Sequence, residues 1–320
     1  MTRTSTNNMA DNSRLIIETR DLCKYFTVKS RGKKATLKAV DEVNLKIYHG
    51  KTLGLVGESG SGKSTIAFTM VQFHKPTSGD ILYEGQPVAY LKGKYLKQFR
   101  EQVQMVFQDP YSSLDPRQTL KTIVERPLKL HTNLKKKERL ERIVEILNQV
   151  GLDAGQLYRY PHEFSGGQRQ RIAVARALAV GPRMIVCDEP VSALDVSVQA
   201  QILNLLKKLQ EDLHLAYLFV AHDLNVVRHI SDDVAVIYMG RIVENAPAEE
   251  LFTNPVHPYT RALLASMPGR EKKDTRVKLI GEISSPINPP PGCRLATRCP
   301  MAKDECLEKT PELKEISPKH

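Results

Sequence analysis

The chain has 320 residues, and 47 Lys and Arg against 36 Asp and Glu give it a formal charge of +11. Apolar residues make up 41% and charged residues 26%, which excludes a wholly disordered chain. Even the best apolar runs, such as residues 216–221, are short, so no membrane-spanning helix is expected. The polar N-terminus has no signal-peptide core, and we expect a cytosolic protein unless another chain carries it to a membrane.

The positive charge allows three kinds of partner: nucleic acid, an anionic membrane surface or a phosphate-bearing ligand. In the densest basic run, residues 134–143, acidic residues alternate with the basic ones. This pattern is typical of the solvated face of a helix and does not favour nucleic acid.

The N-terminal third of the chain predicts a tail followed by strands. Residues 1–13 are polar and predict a flexible tail. From Leu15 to about Val43 the pattern indicates short strands and turns, and residues 31–47 alternate like a half-exposed strand. The apolar run 52–56, a glycine-rich loop and the helical pattern 64–73 then predict strand, loop and helix.

Helices and strands alternate in the rest of the ordered region. Residues 117–180 are predicted to be almost wholly helical, and a helix at 198–213 lies between the strand-like runs 184–187 and 217–221. This alternation indicates an α/β fold with a mainly parallel sheet. From Leu251 the frequent prolines predict a loop-rich extension.

The strongest motif begins at Gly57 and matches G-x-x-x-x-G-K-[ST] between a predicted strand and helix. Its glycines allow backbone N–H groups to turn around a phosphate, next to the positive end of a helix. Lys63 is suited to the β- and γ-phosphates and Ser64 to Mg²⁺; a plain glycine-rich turn is the alternative. The nucleotide-binding residues predicted here are Gly57, Glu58, Ser59, Gly60, Ser61, Gly62, Lys63, Ser64 and Thr65.

Two further motifs carry polar groups suited to phosphate chemistry. The apolar run 184–187 ends in Asp188, which suits the Mg²⁺ shell, and Glu189, which suits a water in line with the γ-phosphate. A capped strand end is the alternative. Ser165 and two glycines open another helix whose bare N-terminus suits an anion; a flexible helix cap is the alternative. If the first loop already holds the phosphates, this second loop is available to those of another copy.

In their order along the chain, these motifs resemble those of the ATP-binding cassette (ABC) ATPases, over residues 15 to about 250. Gln108 resembles the Q-loop glutamine of that family and His222 its switch histidine, although each residue alone would be read as an ordinary loop or packing residue. The resemblance implies a P-loop NTPase core with a RecA-like, mainly parallel sheet, an antiparallel β subdomain and an α-helical subdomain. The implied boundaries are 14–250 for the ATPase domain, about 110–180 for its helical part and 251–320 for the extension.

The resemblance also implies a role for each matching residue. Two ATPase domains would pack head to tail. Each ATP would lie between the P-loop of one domain, which begins at Gly57, and the signature loop of the other, which begins at Ser165. Glu189 would act as the general base or would orient the attacking water, and Asp188 would bind Mg²⁺. An aromatic residue would stack on adenine, Phe26 by preference and Tyr25 otherwise. Gln108 would contact Mg²⁺ and the transmembrane partner, and His222 would contact the γ-phosphate. Asp195 would lie at the dimer interface. The partner's ATP would be contacted by Ser165, Gly166, Gly167 and Gln168.

The C-terminal part resembles the extension of oligopeptide and dipeptide importer ATPases. The resemblance rests on the segment that starts at Asn254 and on the proline-rich stretch from Gly281 to Cys299. The segment after Gln108 is also similar to theirs, although Asp115 stands where Asn is more usual. Nickel importers share much of this tail, so the cargo stays open.

Three cysteines lie close together in this tail: Cys293, Cys299 and Cys306. Some members of the resembling family carry four cysteines here and bind an iron–sulfur cluster, which normally takes four ligands. This chain offers three, so the expectation is that the chain was shortened, that the site is degenerate, or that His320 or an outside ligand completes it. Zinc bound by three thiolates and a histidine is one alternative, and reduced thiols without a metal are another.

The motifs and the resemblance together imply an ATP- and Mg²⁺-dependent ATPase that energises a bacterial importer of di- or oligopeptides. The expected partners are a second ATPase subunit, two transmembrane permease subunits and an extracytoplasmic peptide-binding protein, with no nucleic acid. The expected location is the cytoplasmic side of the cell membrane. The alternatives are an importer of nickel or another small solute, a soluble ABC protein acting on nucleic acid or ribosomes, and a regulatory module without ATPase activity, which Glu189 argues against.

Overall fold

The computed structural model describes residues 14–30, 32–267, 278–281, 285–287 and 289–320; the predicted tail, 1–13, lies outside them. The strands are β1 (Leu15–Ser30), β2 (Lys33–Tyr48), β3 (Thr52–Val56), β4 (Ser78–Tyr83), β5 (Gln86–Pro87), β6 (Val103–Val106), β7 (Met184–Asp188), β8 (Ala216–Val220), β9 (Asp233–Tyr238) and β10 (Arg241–Pro247). The α-helices are α1 (Lys63–Met70), α2 (Gly93–Gln102), α3 (Pro110–Ser113), α4 (Leu120–His131), α5 (Lys136–Gln149), α6 (Gly166–Leu178), α7 (Val196–Leu213), α8 (Leu224–Ile230), α9 (Ala248–Thr253), α10 (Pro258–Ala265) and α11 (Asp304–Glu308).

The first two strands are long, with 16 residues each, so the predicted short strands and turns before Val43 are wrong. Polar groups of the two strands also bond to each other. Asn44 accepts a hydrogen bond from the Asp21 N–H at 2.8 Å and donates one to the Asp21 carboxylate at 3.0 Å. The alternation of buried and exposed residues near the end of β2 confirms the predicted half-exposed strand.

One compact unit, here called the P-loop unit, consists of the described parts of 17–46, 53–82 and 221–320. In it β1 lies between β2 and β4, and β9 lies between β10 and β3. Strand β9 pairs antiparallel with β10 and parallel with β3. The fully buried β3 leads through the glycine-rich loop into α1, which confirms the predicted order of strand, loop and helix.

The second compact unit, here called the helix-rich unit, consists of residues 14–16, 47–52 and 83–220 as far as they are described. Its strands β6, β7 and β8 are parallel neighbours in that order. The region 117–180, predicted to be almost wholly helical, is mostly helical but divided into separate helices. It forms α4, α5 and α6, with short 3₁₀ turns at Ala154–Gln156 and Pro161–Glu163.

Parallel strands alternate with helices in the sequence, and β9 and β10 pair antiparallel, so the predicted α/β fold is confirmed. None of the described helices combines the length and the apolar character that crossing a membrane requires. The predicted boundaries at 14–250 and 251–320 stay predictions, because the two units each combine separate stretches of the chain.

Candidate nucleotide-binding site

The glycine-rich loop of the P-loop unit needs glycine at specific positions. Gly60 and Gly62 have φ values of 75° and 108°, which side chains strongly disfavour. A Cβ atom on Gly57 would lie 2.2 Å from the Ile237 carbonyl oxygen, and one on Gly62 would lie 2.1 Å from that of Ala39. The loop is therefore tightly packed against β9 and β2, which leaves its other side to a ligand.

Lys63 opens α1 directly after this loop and is only 5% exposed. Its ammonium group donates to the carbonyl oxygens of Gly57 at 2.8 Å and Glu58 at 2.9 Å. The buried Ser61 hydroxyl has no hydrogen-bond partner among the described residues. A looped backbone, an ammonium group and a helix N-terminus in one place fit a bound polyphosphate.

His222 lies next to the strand that carries the loop. The N–H of Ala221 donates to the Leu55 carbonyl in β3 at 3.3 Å, and His222 follows it as an exposed residue. Asp223 then caps α8 through the Asn225 N–H. Within the P-loop unit, the predicted switch histidine is thus placed beside the carboxyl end of β3.

Two neighbouring aromatic residues were candidates for adenine stacking. The Tyr25 hydroxyl donates to the buried carboxylate of Asp41. The half-buried ring of Phe26 meets His74 edge-on at 5.5 Å, and the Lys24 ammonium lies 4.9 Å from its centre. The polar end of Tyr25 is therefore engaged in the fold, and stacking of Phe26 on adenine stays a prediction.

In the helix-rich unit, the predicted carboxylates lie at the carboxyl end of β7. Asp188 is the last residue of that strand and is 3% exposed. Glu189 follows with a φ of 46°, and its N–H donates to the Val220 carbonyl at 2.9 Å. Gln108, just after the adjacent parallel strand β6, donates its side-chain amide to the Glu189 carboxylate at 2.9 Å. The structure therefore brings these three polar residues to one sheet edge.

The predicted signature loop begins α6 with a reciprocal cap. The Ser165 hydroxyl accepts from the Gln168 N–H at 3.3 Å, and the Gln168 side chain accepts from the Ser165 N–H at 3.0 Å. A Cβ atom on Gly167 would lie 2.5 Å from Val198 Cγ1 in α7. Asp195 is exposed at the N-cap of α7, where its side chain makes no capping hydrogen bond. The signature glycine is thus also a packing requirement.

The three C-terminal cysteines do not form a metal site in the structure. The Cys293 N–H donates to the Cys306 carbonyl at 2.8 Å, and burial raises the pKa of the Cys293 thiol. His320 pairs with the buried carboxylate of Glu244 at 2.7 Å. The described residues, which include all three cysteines and His320, contain no group of three or more His, Cys, Asp or Glu placed to hold a metal ion. The iron–sulfur and zinc hypotheses therefore gain no support.

Comparison with known proteins identifies the family. Residues 40–192 match the ABC transporter family, and residues 243–306 match the C-terminal region of oligopeptide/dipeptide transporters. The chain is 51% identical to the oligopeptide transport ATP-binding protein AppF of Bacillus subtilis (strain 168) over 97% of each chain. The chain belongs to the ABC transporter family. The oligopeptide transport ATP-binding protein OppF of Escherichia coli (strain K12) is another relative of this ABC ATPase, 46% identical over 96% of this chain and 95% of that one.

Solved ABC structures agree with this assignment. The dimeric ABC transporter cassette MJ0796 is 31% identical with a TM-score of 0.64, over 73% of this chain and 99% of that one. CbiO1 from Clostridium perfringens is 27% identical with a TM-score of 0.65, over 76% and 92%. The predicted family, fold class and ATPase activity are therefore confirmed, and ATP and Mg²⁺ are the ligands that an ABC ATPase uses in general. The transport relatives do not favour the nucleic-acid or ribosome alternative.

Two contacts at the P-loop of this ABC ATPase were missed by the sequence analysis. The N–H of Glu58 donates to the Tyr259 hydroxyl at 2.8 Å, and Arg298 lies 3.2 Å from the Glu58 carboxylate. The contacting residues are 201 and 240 positions away in the chain. No local motif marks such distant partners, so a single sequence carries no signal for them.

Proposed function

We propose that this chain is the ATP-hydrolysing subunit of a bacterial importer for di- and oligopeptides. The observation that carries the proposal is the 51% identity to an oligopeptide transport ATP-binding protein over 97% of the chain. The match of residues 243–306 to the oligopeptide/dipeptide transporter C-terminal region supports the same cargo. The competing class, an importer of nickel or another small solute, is not favoured by these relatives.

The P-loop supplies the phosphate-binding groups in this proposal. Lys63, already held over the loop by two carbonyl oxygens, would exchange these bonds for the β- and γ-phosphates, and the loop N–H groups would bind the remaining oxygens. Ser64, Gln108 and Asp188 would hold Mg²⁺, which neutralises negative charge that develops on the phosphates. Phe26 would stack on the adenine ring.

Glu189 would orient and deprotonate the attacking water, because its carboxylate is held by Gln108 at 2.9 Å. His222 would contact the γ-phosphate and stabilise the charge that develops during the attack. The products are ADP and inorganic phosphate, which carries the oxygen of the water. Each role rests on the position of the residue within its own unit and on the family pattern.

The active form would be a dimer of ATPase subunits. The signature residues Ser165, Gly166, Gly167 and Gln168 would contact the ATP of the other subunit, and Asp195 would lie at the dimer interface. The second subunit is a copy of this chain or a related ATPase. Two permease subunits and an extracytoplasmic peptide-binding protein would complete the importer. The chain would be a peripheral membrane protein on the cytoplasmic side, where its charge of +11 suits anionic lipids.

Reconstitution with the permease subunits and the binding protein tests this function. The proposal predicts ATP-driven uptake of labelled di- or oligopeptides into vesicles and no uptake of nickel ions. Uptake of nickel without peptide would assign the chain to the competing importer class. Cell fractionation gives an independent check, since the chain should sediment with membranes only when the permease subunits are co-expressed.

The three cysteines have no part in this mechanism, because the structure does not arrange them as a metal site. Anaerobic purification and iron analysis test that conclusion directly. Brown protein with bound iron would restore the cluster hypothesis, and colourless iron-free protein would leave reduced thiols.

A further inference from the structure

The C-terminal extension contacts the phosphate-binding loop through a buried tyrosine. Tyr259 in α10 is fully buried, and its hydroxyl accepts a hydrogen bond from the Glu58 N–H at 2.8 Å. Its ring packs against Tyr238, the last residue of β9, with the ring centres 4.6 Å apart. The amide at the start of the loop is therefore held by the extension.

Arg298 holds the same loop residue by its side chain. This arginine is 11% exposed, and its Nη1 lies 3.2 Å and 3.4 Å from the two carboxylate oxygens of Glu58. The same nitrogen lies 3.3 Å from the Tyr238 hydroxyl. Burial opposes the charged guanidinium, but the bonds to Tyr238 and Glu58 raise the pKa of Arg298. Because the Arg298 side chain is largely buried, its charge would be costly to leave unpaired, and the contact therefore helps to fix the position of Glu58.

A second connection runs through the turn between β9 and β10. Arg294, 6% exposed, donates to the Met239 carbonyl and to Asp41. The next residue in the turn, Gly240, donates its N–H to the Ser61 carbonyl of the loop at 2.7 Å. Arg294 and Arg298 belong to one turn, in which the Arg298 N–H bonds the Leu295 carbonyl. One short segment of the extension thus supports the loop from two sides.

These contacts hold three groups of a single loop residue. The N–H of Glu58 is bound by Tyr259, its carboxylate by Arg298, and its carbonyl oxygen by the Lys63 ammonium at 2.9 Å. A shift of Glu58 would therefore move a carbonyl oxygen that positions Lys63. Neither Tyr259 nor Arg298 belongs to the family motifs that mark the nucleotide site.

We propose that Tyr259 and Arg298 are positioning residues of the phosphate-binding loop, which couple the C-terminal extension to nucleotide affinity. They act through Glu58 and keep the loop in the shape that receives the triphosphate, so that less ordering is needed when ATP binds. This inference rests on the proposed function, because it requires that the loop bind ATP. It adds to that function a role for the extension in setting the affinity of the site.

Titration of the full-length chain with a fluorescent ATP analogue and Mg²⁺ tests the proposal. Arg298→Ala should weaken binding by about tenfold, and Tyr259→Phe by about threefold to fivefold, the usual effect of losing a charged and a neutral hydrogen bond. Arg298→Lys keeps the charge and should recover part of the loss. In the reconstituted transporter the KM for ATP should rise more in Arg298→Ala than in Tyr259→Phe, while kcat changes by less than about twofold in both.

Two variants serve as matched controls. Arg261→Ala removes an arginine of the same extension, whose Nε donates to the Pro255 carbonyl at 2.8 Å. Tyr217→Phe removes a hydroxyl that is equally buried and donates to the Leu206 carbonyl at 3.0 Å. Both should bind the analogue within about twofold of the original chain, and thermal melting should show all variants folded.

The outcomes separate this inference from the proposed function. If the unaltered chain does not bind the analogue, the proposed function fails and this inference fails with it. If the unaltered chain binds and Arg298→Ala and Tyr259→Phe bind equally well, only the inference is overturned. Should Arg298→Ala not fold, Arg298→Lys and Tyr259→Phe decide the result. Equal losses in the controls would show a general effect of lost stability and would also overturn it.

Discussion

The side-chain amide of Gln108 donates a hydrogen bond to the carboxylate of Glu189 at 2.9 Å. The two residues follow adjacent parallel strands, β6 and β7. Glu189 has a φ of 46°, a conformation that costs free energy in a residue with a side chain and that collects at functional sites. The hydrogen bond from Gln108 thus orients the Glu189 carboxylate at the end of the sheet.

Replacement of Glu189 by Gln should separate ATP binding from hydrolysis. The glutamine keeps the size of the side chain but cannot accept a proton from water, so we expect turnover to fall by at least about a hundredfold while ATP affinity stays within about twofold. Phosphate release and nucleotide binding measured on one preparation check this. Glu145→Gln, which removes an exposed carboxylate paired with Arg142, is the control. Unchanged turnover in Glu189→Gln would contradict the assignment.

Gln108 should act on hydrolysis largely through Glu189, in addition to its proposed contact with Mg²⁺. Gln108→Ala is expected to lower turnover by about tenfold, because the carboxylate loses a bond that orients it. In the double variant with Glu189→Gln the second change should cost much less than tenfold, since the group to be oriented is already inactive and only the Mg²⁺ contact is lost. The four turnover numbers of this cycle are the measurement. Fully additive losses would show that Gln108 does not act through Glu189.

Gly167→Ala should destabilise the start of the signature helix. The added Cβ would lie 2.5 Å from Val198 Cγ1, and overpacking of this kind typically costs about 1–3 kcal/mol. Chemical denaturation measures the loss. Val198→Ala should restore most of it in the double variant, because it removes the methyl group that the new side chain meets. Absence of rescue would mean that the cost arises elsewhere, for example in the backbone.

The local motifs explain why much of the candidate site could be predicted. A phosphate-binding loop needs glycine, lysine and serine at fixed spacing, and a helix cap needs Ser165 and Gln168 three residues apart. Such requirements act within one turn of the chain and can be read directly from it. The parallel sheet was predictable for a similar reason, because apolar runs such as β7 are buried along their whole length.

Contacts between distant residues could not be predicted in this way. The bond from the Glu58 N–H to Tyr259 and the pair of Asp21 with Asn44 depend on which elements pack together, not on the neighbours of each residue. The length of β1 and β2 is a further example, because a strand is stabilised by pairing with a neighbouring strand, which the local pattern does not show.

His257 should make the stability of the C-terminal extension sensitive to mild acid. Its Nδ1 accepts the Tyr259 N–H at 3.2 Å and so caps α10. Burial lowers the pKa of His257, and the charge of Glu244 opposes this in part. The unfolded chain, with a histidine pKa of about 6.5, therefore binds the proton more tightly. The stabilising effect of the neutral ring is fully present above that pH, and it is lost as the pH falls toward the lower pKa of the folded state.

His257→Asn tests this sign, because asparagine can also cap a helix but does not titrate in this range. Between pH 7.5 and pH 5.5 the free energy of unfolding of the unaltered chain should fall more than that of the variant, by at most about 1.4 kcal/mol per pH unit. Urea unfolding at both pH values gives the difference. His214→Asn, at an exposed residue that ends α7 with a φ of 53°, is the control and should not change the pH dependence in this direction. If the free energy of unfolding falls by the same amount in both proteins, or by more in the variant, protonation of His257 does not destabilise the fold.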